Sequence, residues 1–292
     1  MKRPIWTTML AMGALVAGCS AVPFTSARAQ ENLKCAPQDL AKDYPALVGK
    51  TVTIGVDGEE QPYAYRDPKD FSKIIGIDAD LSRAVLKCVG IRYKFVVGGW
   101  SGLLPAVMGD QINIMWDNLY YTPVRAKKLD YVIYMRAADG VLVKAGNPKH
   151  IGSLSDACGL PGGALLGTVE EQALRTQSAK CVAEGKPSMR IMTAPNQADL
   201  TRLLSNGRAD LIMNDYFIMS WLGSHFPKEY HLAAKVVTGD LLGVGLAKSE
   251  TELTQAVYQG LRVEQANGTQ KKILERYGVD PSLVLPAKIV TK

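Results

Sequence analysis

Short apolar runs alternate with amphipathic segments along most of the chain. The run Thr51–Val56 predicts a buried strand, and Arg92–Val97 alternates in the manner of a strand. From Asp80 the apolar positions recur at helical spacing, with Leu81, Val85 and Cys88 on one face. The same reasoning predicts strands at 112–116, 131–135 and 141–144, and helices at 101–108, capped by Ser101, and at 122–129, capped by Thr122 with Pro123 at its first position.

A second set of strands and helices follows residue 145. Strands are predicted at 163–167, 190–192, 211–213 and 235–238, and helices at 169–183, 196–205, 216–222, 250–266 and 268–277. This alternation favours an α/β fold with mostly parallel sheets, and two such sets favour two lobes. The chain contains neither a low-complexity linker nor a clear internal repeat.

The first 29 residues resemble an export signal. Lys2 and Arg3 precede a short apolar run, and Ala27-Arg28-Ala29 offers a cleavage site. An alternative is a lipoprotein, because Val16-Ala17-Gly18-Cys19 resembles a lipobox in which Cys19 would carry the lipid. Either processing route predicts a periplasmic protein.

Composition narrows the function classes. The formal net charge is +6, and loss of Lys2, Arg3 and Arg28 with the signal leaves +3. The remaining basic residues are scattered, so nucleic acid is a poor candidate partner. No stretch after the signal approaches the roughly 20 apolar residues of a membrane span.

Four cysteines remain without Cys19, an even number that suits an oxidising compartment. Of three possible pairings, Cys35–Cys88 and Cys158–Cys181 are favoured because each pair then lies within one proposed lobe. Four free buried thiols are the alternative. A metal site is not expected, since the chain has no CxxC and three histidines, and no cofactor is predicted.

Arg125 lies where a strand gives way to a helix, a place where open α/β sheets bind ligands. The segments around it, in their order and spacing, resemble the periplasmic solute-binding proteins of ABC importers, family 3, from about residue 50 to 280. The matching segments are IGVDGEEQPYAY (54–65), GIDADL (76–81), WSGLLPAVMGDQINI (100–114), YTPVRAKKLDY (121–131), LGTVEEQAL (166–174), LLSNGRADLIMND (203–215) and NGTQKKILERYGV (267–279).

The resemblance implies a two-lobed periplasmic-binding-protein fold of type II, with the ligand between the lobes. Lobe 1 would comprise 50–141 and 242–292, and lobe 2 would comprise 142–241. Two hinge strands would lie near 139–144 and 238–245.

The resemblance also implies roles for single residues. Arg125 would grip a ligand carboxylate, with an ordinary surface helix arginine paired with Asp130 or a neighbour as the alternative. Asp215 would receive the α-ammonium group or cap a helix, and Thr168 would hold the carboxylate or only cap its helix. Residues expected to contact the ligand side chain are Trp100, otherwise a core residue, and Asp57 and Glu60, acids near the mouth of the cleft that are otherwise merely solvated.

The chain departs from the family pattern in the ligand pocket. Where relatives often have S-x-S-I-T, residues 118–122 read N-L-Y-Y-T, so Asn118 and the bulky Tyr120 would reshape the pocket. Val169 and Glu170 replace residues that are often polar and uncharged. A modified amino acid or another small organic ion is therefore an alternative ligand.

The expected function is a non-enzymatic, monomeric receptor that closes on its ligand and docks on an inner-membrane permease. An enzyme on the same fold, a dehydratase of arogenate or prephenate using Glu170 or Glu60 as general acid, is the alternative. A third possibility is a ligand-presenting partner of a membrane sensor.

Overall fold

A computed structural model describes residues 33–291. The predicted signal segment and Cys19 lie outside these residues. Within them, no helix combines the length and apolar character that crossing a membrane requires.

The described chain alternates strands and helices. The strands are β1 (Thr51–Val56), β2 (Glu59–Glu60), β3 (Ala64–Asp67), β4 (Asp70–Ile75), β5 (Arg92–Val97), β6 (Ile114–Met115), β7 (Leu129–Arg136), β8 (Asp139–Lys144), β9 (Pro161–Leu165), β10 (Arg190–Ala194), β11 (Leu211–Asp215), β12 (Tyr230–Val236), β13 (Leu241–Ala247) and β14 (Val284–Val290). The helices are α1 (Leu40–Asp43), α2 (Ile77–Cys88), α3 (Trp100–Met108), α4 (Pro123–Ala126), α5 (Val169–Ala183), α6 (Gln197–Ser205), α7 (Tyr216–His225), α8 (Thr251–Ala266) and α9 (Thr269–Arg276).

These strands form two large sheets, one for each lobe, and the fold is the predicted two-lobed α/β fold. The first sheet has the order β14-β7-β13-β6-β1-β5, and the second has the order β10-β9-β11-β8-β12. A small third sheet contains β2, β3 and β4. The chain passes from the first sheet to the second between β7 and β8 and returns between β12 and β13. The residue boundaries assigned to the lobes stay a prediction.

The expectation of mostly parallel sheets is wrong. Strands β1, β5 and β6 pair in parallel, as do β9, β10 and β11, whereas β13 is antiparallel to β6 and β7, and β8 is antiparallel to β11 and β12. The chain leaves the first lobe through β7 and re-enters it through β13. Strands that carry the chain in opposite directions between the lobes pair antiparallel.

Several predicted boundaries also differ from the structure. Helix α2 begins at Ile77 rather than Asp80, and α3 begins at Trp100 after Gly99, so Ser101 is not its cap. The strand predicted at 112–116 is reduced to two residues, and the helix predicted to reach 129 ends at Ala126. The pattern missed β2 to β4 and β14, whereas β13 overlaps the hinge strand that the resemblance implied near 238–245.

Both predicted disulfides are present. The structure bonds Cys35 to Cys88, 53 residues apart, and Cys158 to Cys181, 23 residues apart. The first links the segment before β1 to the end of α2. The second links the segment before β9 to α5 in the second lobe. The pairing within each lobe is therefore confirmed, and the alternative of four free thiols is wrong.

Replacing Cys158 and Cys181 together with alanine should lower the free energy of unfolding by about 3 kcal/mol, because a cross-link of this loop length restricts the unfolded chain. Urea denaturation of oxidised wild type and variant measures the difference. The Cys35–Cys88 bond remains in both proteins and serves as the internal control. Identical unfolding midpoints would show that the second bond does not stabilise the fold.

Candidate functional site

A narrow cavity of about 10 Å³ lies between the two lobes. The first lobe contributes Glu60, Trp100, Asn118, Tyr120 and Arg125, and the second contributes Leu165, Thr168, Val169, Glu170 and Asn214. Leu165 ends β9, and Val169 begins α5 after a short turn. The cavity thus lies beyond the carboxyl ends of strands, where α/β sheets bind ligands.

Direct hydrogen bonds join the lobes around this cavity. The Tyr120 hydroxyl donates to Asp215 Oδ2 at 3.0 Å, and Arg125 Nη2 donates to the Gly167 carbonyl at 2.8 Å. At the cavity's edge, the Ser101 amide donates to the Pro195 carbonyl at 3.1 Å. The structure therefore represents a closed conformation, in which side chains of both lobes face one enclosed space.

Arg125 is held at the cavity by the short helix α4. Thr122 caps this helix by accepting a hydrogen bond from the Arg125 amide, and Pro123 occupies the first turn, as predicted. The guanidinium carbon lies 5.9 Å from the centre of the Trp100 ring, and Nη1 donates to the Tyr120 carbonyl at 2.8 Å. Arg125 is 7% exposed.

The positive charge of Arg125 has carbonyl partners but no ion pair with any carboxylate of residues 33–291. The alternative of a surface arginine paired with Asp130 is wrong, because Asp130 pairs with Lys248 at 2.5 Å. A buried guanidinium is costly without an anion. Two bonds leave part of its five-donor fork for a planar carboxylate.

Buried acids of the first lobe form the other end of the site. One oxygen of each fixes a neighbouring backbone amide: Asp117 Oδ2 accepts from the Asp57 amide at 2.6 Å, and Asp57 Oδ2 accepts from the Trp100 amide at 3.0 Å. The second oxygens, Asp57 Oδ1 and Asp117 Oδ1, are buried without a partner. Glu60 Oε2 and Asn118 Oδ1 are unpartnered in the same way. No group of the described residues donates a hydrogen bond to any of these four oxygen atoms.

Asn118 is fixed in a special backbone conformation. Its φ of +49° lies in the left-handed region, which asparagine tolerates better than most residues. Its amide donates to Asp78 Oδ2 at 2.6 Å, and the Tyr134 hydroxyl donates to Asp78 Oδ1 at 2.6 Å. Asp78 is therefore fully engaged in positioning this turn.

Burial and the charges of neighbouring carboxylates raise the pKa values of the buried acids. Burial, followed by the charges of Asp117 and Asp57, holds the pKa of Glu60 well above its ordinary value. Burial raises the pKa of Asp57 to about 7. Among the residues that line the cavity, Arg125 is the one basic side chain. The acid end therefore favours a cation that would replace the protons these carboxyls hold.

The first turn of α5 forms the wall of the second lobe. Thr168 caps this helix, since its hydroxyl accepts from the Glu171 amide at 3.2 Å and donates to the Leu165 carbonyl at 3.0 Å. Its role toward a ligand carboxylate stays a prediction. Val169 and Glu170 line the cavity, and burial raises the pKa of Glu170 to about 7.

Asp215 lies behind the wall of the cavity. Its Oδ1 caps α7 by accepting from the Phe217 amide at 2.7 Å, and its Oδ2 accepts the Tyr120 hydroxyl. The same hydroxyl lies 3.1 Å from the Ala138 carbonyl. Burial raises the pKa of Asp215 to about 7. The capping role is present in the structure, and the role toward an ammonium group stays a prediction.

Comparison with known proteins places this geometry in a family. The sequence profile described as bacterial extracellular solute-binding proteins, family 3, matches residues 52–280. The chain belongs to this family. The chain of this solute-binding protein is 28% identical over 246 residues to the lysine/arginine/ornithine-binding periplasmic protein of Escherichia coli (strain K12), covering 81% of this chain and 90% of the relative.

Two solved structures share the fold of this solute-binding protein. An ancestral arginine-binding protein bound to arginine has a TM-score of 0.71 at 24% identity, covering 78% of this chain and 97% of the other. An ancestral amino acid-binding protein, a precursor of cyclohexadienyl dehydratase, has a TM-score of 0.67 at 26% identity, covering 82% and 98%.

The structure brings together most residues that the sequence of the solute-binding protein singled out. Those lining the cavity are Glu60, Trp100, Asn118, Tyr120, Arg125, Thr168, Val169 and Glu170. Asp57 and Asp215 lie directly behind this lining. The expectation of acids near the mouth of the cleft is wrong, since Asp57 is 4% exposed and Glu60 1%. Trp100 is both a buried core residue and a wall of the cavity.

Sequence reasoning missed Asp117, Asp139, Leu165 and Asn214. Leu165 and Asn214 line the cavity, and Asp117 supports Asp57. Asp117 immediately precedes Asn118 and follows a predicted strand, so its position could have identified it. Asp139 could not be found in this way, because it begins a strand in the second lobe.

Buried acids should make the ligand-free solute-binding protein less stable as pH rises from 5 to 8. Burial raises the pKa of Asp78 to about 6, of Asp57, Glu170 and Asp215 to about 7, and of Asp139 to about 8. The folded protein thus retains protons that the unfolded chain releases near pH 4, and this stabilisation is lost as pH passes the folded values.

Melting temperatures of ligand-free protein, measured at intervals between pH 5 and 8, should fall by several degrees. Carboxyls with a lowered pKa do not act in this window: hydrogen bonds from Ser72 hold the pKa of Asp70 at about 2, so this group is ionised throughout. A melting temperature that is constant or rises over this range would contradict the assignment of buried, protonated acids.

Proposed function

We propose that this protein captures a small zwitterion, an amino acid or a related organic ion, by closing its two lobes around it. One observation carries the proposal. A buried arginine without a carboxylate partner and the buried Glu60, whose Oε2 is unpartnered, line one cavity between the lobes, and the unpartnered oxygens of Asp57 and Asp117 lie behind that lining. Such a cavity complements a molecule with a carboxylate at one end and an N–H-rich cation at the other.

Closure would assemble this site from both lobes. Arg125 and the acid cluster belong to the first lobe, whereas the Gly167 carbonyl that orients Arg125 and the wall at Glu170 belong to the second. The two chain crossings between the sheets offer the hinge for a rigid-body movement. Ligand held by one lobe would therefore be enclosed when the other lobe closes.

Delivery to a permease of an ABC importer in the inner membrane follows from the family to which the chain belongs. The relative from Escherichia coli is named a lysine/arginine/ornithine-binding periplasmic protein, and the buried acids here suit ligands with a cationic side chain. We propose the periplasm as the compartment. Two disulfides support an oxidising environment.

An enzymatic role is the second candidate, and one observation favours it. Glu170 lines the cavity, and burial raises its pKa to about 7, which suits a general acid. The similar precursor of cyclohexadienyl dehydratase is itself described as an amino acid-binding protein. Turnover of arogenate or prephenate by purified protein would establish the enzyme, and complete inertness would remove this candidate.

A thermal-shift screen of refolded, ligand-stripped protein tests the receptor. The panel contains the amino acids, polyamines, betaines, ω-amino carboxylates and simple carboxylates. A zwitterion above its dissociation constant should raise the melting temperature, since it binds the folded state alone. A rise with simple carboxylates or simple amines alone would contradict the two-ended site.

A further inference from the structure

The Tyr120 side chain separates the cavity from buried acids of the second lobe. Its hydroxyl donates to Asp215 Oδ2 at 3.0 Å and lies 3.1 Å from the Ala138 carbonyl. Tyr120 itself lines the cavity and is 3% exposed, whereas neither Asp215 nor Asp139 is part of the lining. The phenol therefore stands between these two carboxylates and any ligand.

Each oxygen of Asp215 already accepts one hydrogen bond, and Asp215 is not part of the cavity lining, whereas Tyr120 is. One of its oxygens accepts the Phe217 amide at 2.7 Å, and the other accepts Tyr120. An ammonium group reaching Asp215 would have to displace the phenol and break its hydrogen bond.

Acceptors without a partner remain in both lobes: Asp139 Oδ1 lies in the second lobe, outside the cavity lining, and four others lie in the first. Asp57 Oδ1, Glu60 Oε2, Asp117 Oδ1 and Asn118 Oδ1 are buried without partners in the first lobe. An ammonium group offers three N–H donors and a guanidinium offers five, so either can satisfy several of these acceptors at once. Of these, Glu60 and Asn118 line the cavity, so the cationic end of a ligand would be recognised there and its carboxylate at Arg125.

We propose that this protein selects ω-amino or ω-guanidino carboxylates that lack an α-amino group, because Tyr120 occupies the place from which Asp215 would bind one. The inference rests on the proposed function as a zwitterion receptor. It assigns to Tyr120 the role of specificity-determining residue. A ligand of this class has one carboxylate and one cationic end, and needs no partner at Asp215.

Matched ligand pairs that differ in the α-amino group alone test the inference by isothermal titration calorimetry. The pairs are lysine and 6-aminohexanoate, ornithine and 5-aminopentanoate, and arginine and 5-guanidinopentanoate. Wild type should bind the tightest des-amino member at least 10-fold more tightly than its α-amino partner. The ratio of the two affinities within a pair removes any effect on lobe closure that both ligands share.

Two variants locate the cause in Tyr120. Tyr120→Ser removes the ring and opens Asp215, so the preference should shift toward the α-amino member by at least 10-fold. Tyr121→Phe alters the neighbouring tyrosine, which lies outside the cavity lining, and as the matched control it should retain the preference of wild type. Melting curves without ligand show whether each variant is folded.

The outcomes of these titrations distinguish a failure of the Tyr120 inference from a failure of the proposed receptor function. If wild type prefers lysine, ornithine or arginine over its des-amino partner, Tyr120 moves aside and this inference is overturned while the zwitterion receptor stands. An unchanged preference in Tyr120→Ser overturns it as well. If no member of any pair binds and no other zwitterion of the screen does, the proposed function fails together with the inference.

Discussion

Replacement of Arg125 with alanine is expected to weaken binding of the tighter of lysine and 6-aminohexanoate by at least about 30-fold. Truncating one partner of a buried charge pair typically costs about 2–5 kcal/mol, because the other charge is left buried and unpaired. In this cavity no other basic side chain lines the wall to replace the guanidinium. The carboxylate end of the ligand would therefore lose its counter-charge entirely.

The melting temperature of the ligand-free Arg125→Ala protein should remain within a few degrees of wild type. Its two carbonyl partners, at Tyr120 and Gly167, border the cavity and can accept hydrogen bonds from water instead. Lys127→Ala is the matched control, since Lys127 is an exposed basic residue directly after the same helix. Normal ligand affinity in Arg125→Ala would show that the carboxylate is held elsewhere.

Replacement of Glu60 with glutamine is expected to move stability and binding in opposite directions at pH 8. Glu60 is 1% exposed, and burial and the neighbouring charges of Asp117 and Asp57 disfavour its ionised form. A glutamine of the same shape removes this repulsion, so the ligand-free protein should melt a few degrees higher. Binding of 6-aminohexanoate should weaken at least 10-fold, because a cation loses an ionised acceptor.

The difference between Glu60→Gln and wild type should narrow as pH falls from 8 to 5. Burial raises the pKa of Glu60, a falling pH favours its protonated form, and a neutral carboxyl resembles the glutamine amide in charge. Glu59→Gln serves as the control, since Glu59 is exposed and its acceptor role toward the Ala198 amide survives in glutamine. Equal affinities of Glu60→Gln and wild type at pH 8 would exclude Glu60 from cation recognition.

The fold could be predicted largely because hydrophobic periodicity and order of segments are local properties of the sequence. Thr122, Pro123 and Arg125 identified a helix start and a charged residue at a strand end, and the structure places Arg125 in the cavity as expected. The antiparallel strands could not be predicted, since pairing of β13 with β6 and β7 depends on how the chain returns from the second lobe. The pattern of apolar positions does not show how the chain returns from the second lobe.

The burial and the hydrogen-bond partners of the site residues were harder to predict from the sequence. Asp57 and Glu60 were predicted as ligand contacts or as solvated loop acids, whereas the structure buries both and bonds Asp57 to the Trp100 amide. The bulk of Tyr120 was apparent, but its hydrogen bond to Asp215 joins residues 95 positions apart. Contacts between lobes depend on tertiary closure and leave no local signal in either segment.

Chemically neutralising each charged end of the ligand in turn tests most directly whether one cavity recognises both charges. Calorimetric titrations would compare lysine and 6-aminohexanoate with forms whose carboxylate is converted to an amide and forms whose ω-amino group is acetylated. The two-ended cavity predicts that either cap weakens the binding of the parent compound by about 100-fold, since each leaves a buried charge of the protein unpaired. A capped form that binds as tightly as its parent would contradict recognition of both charges within one cavity.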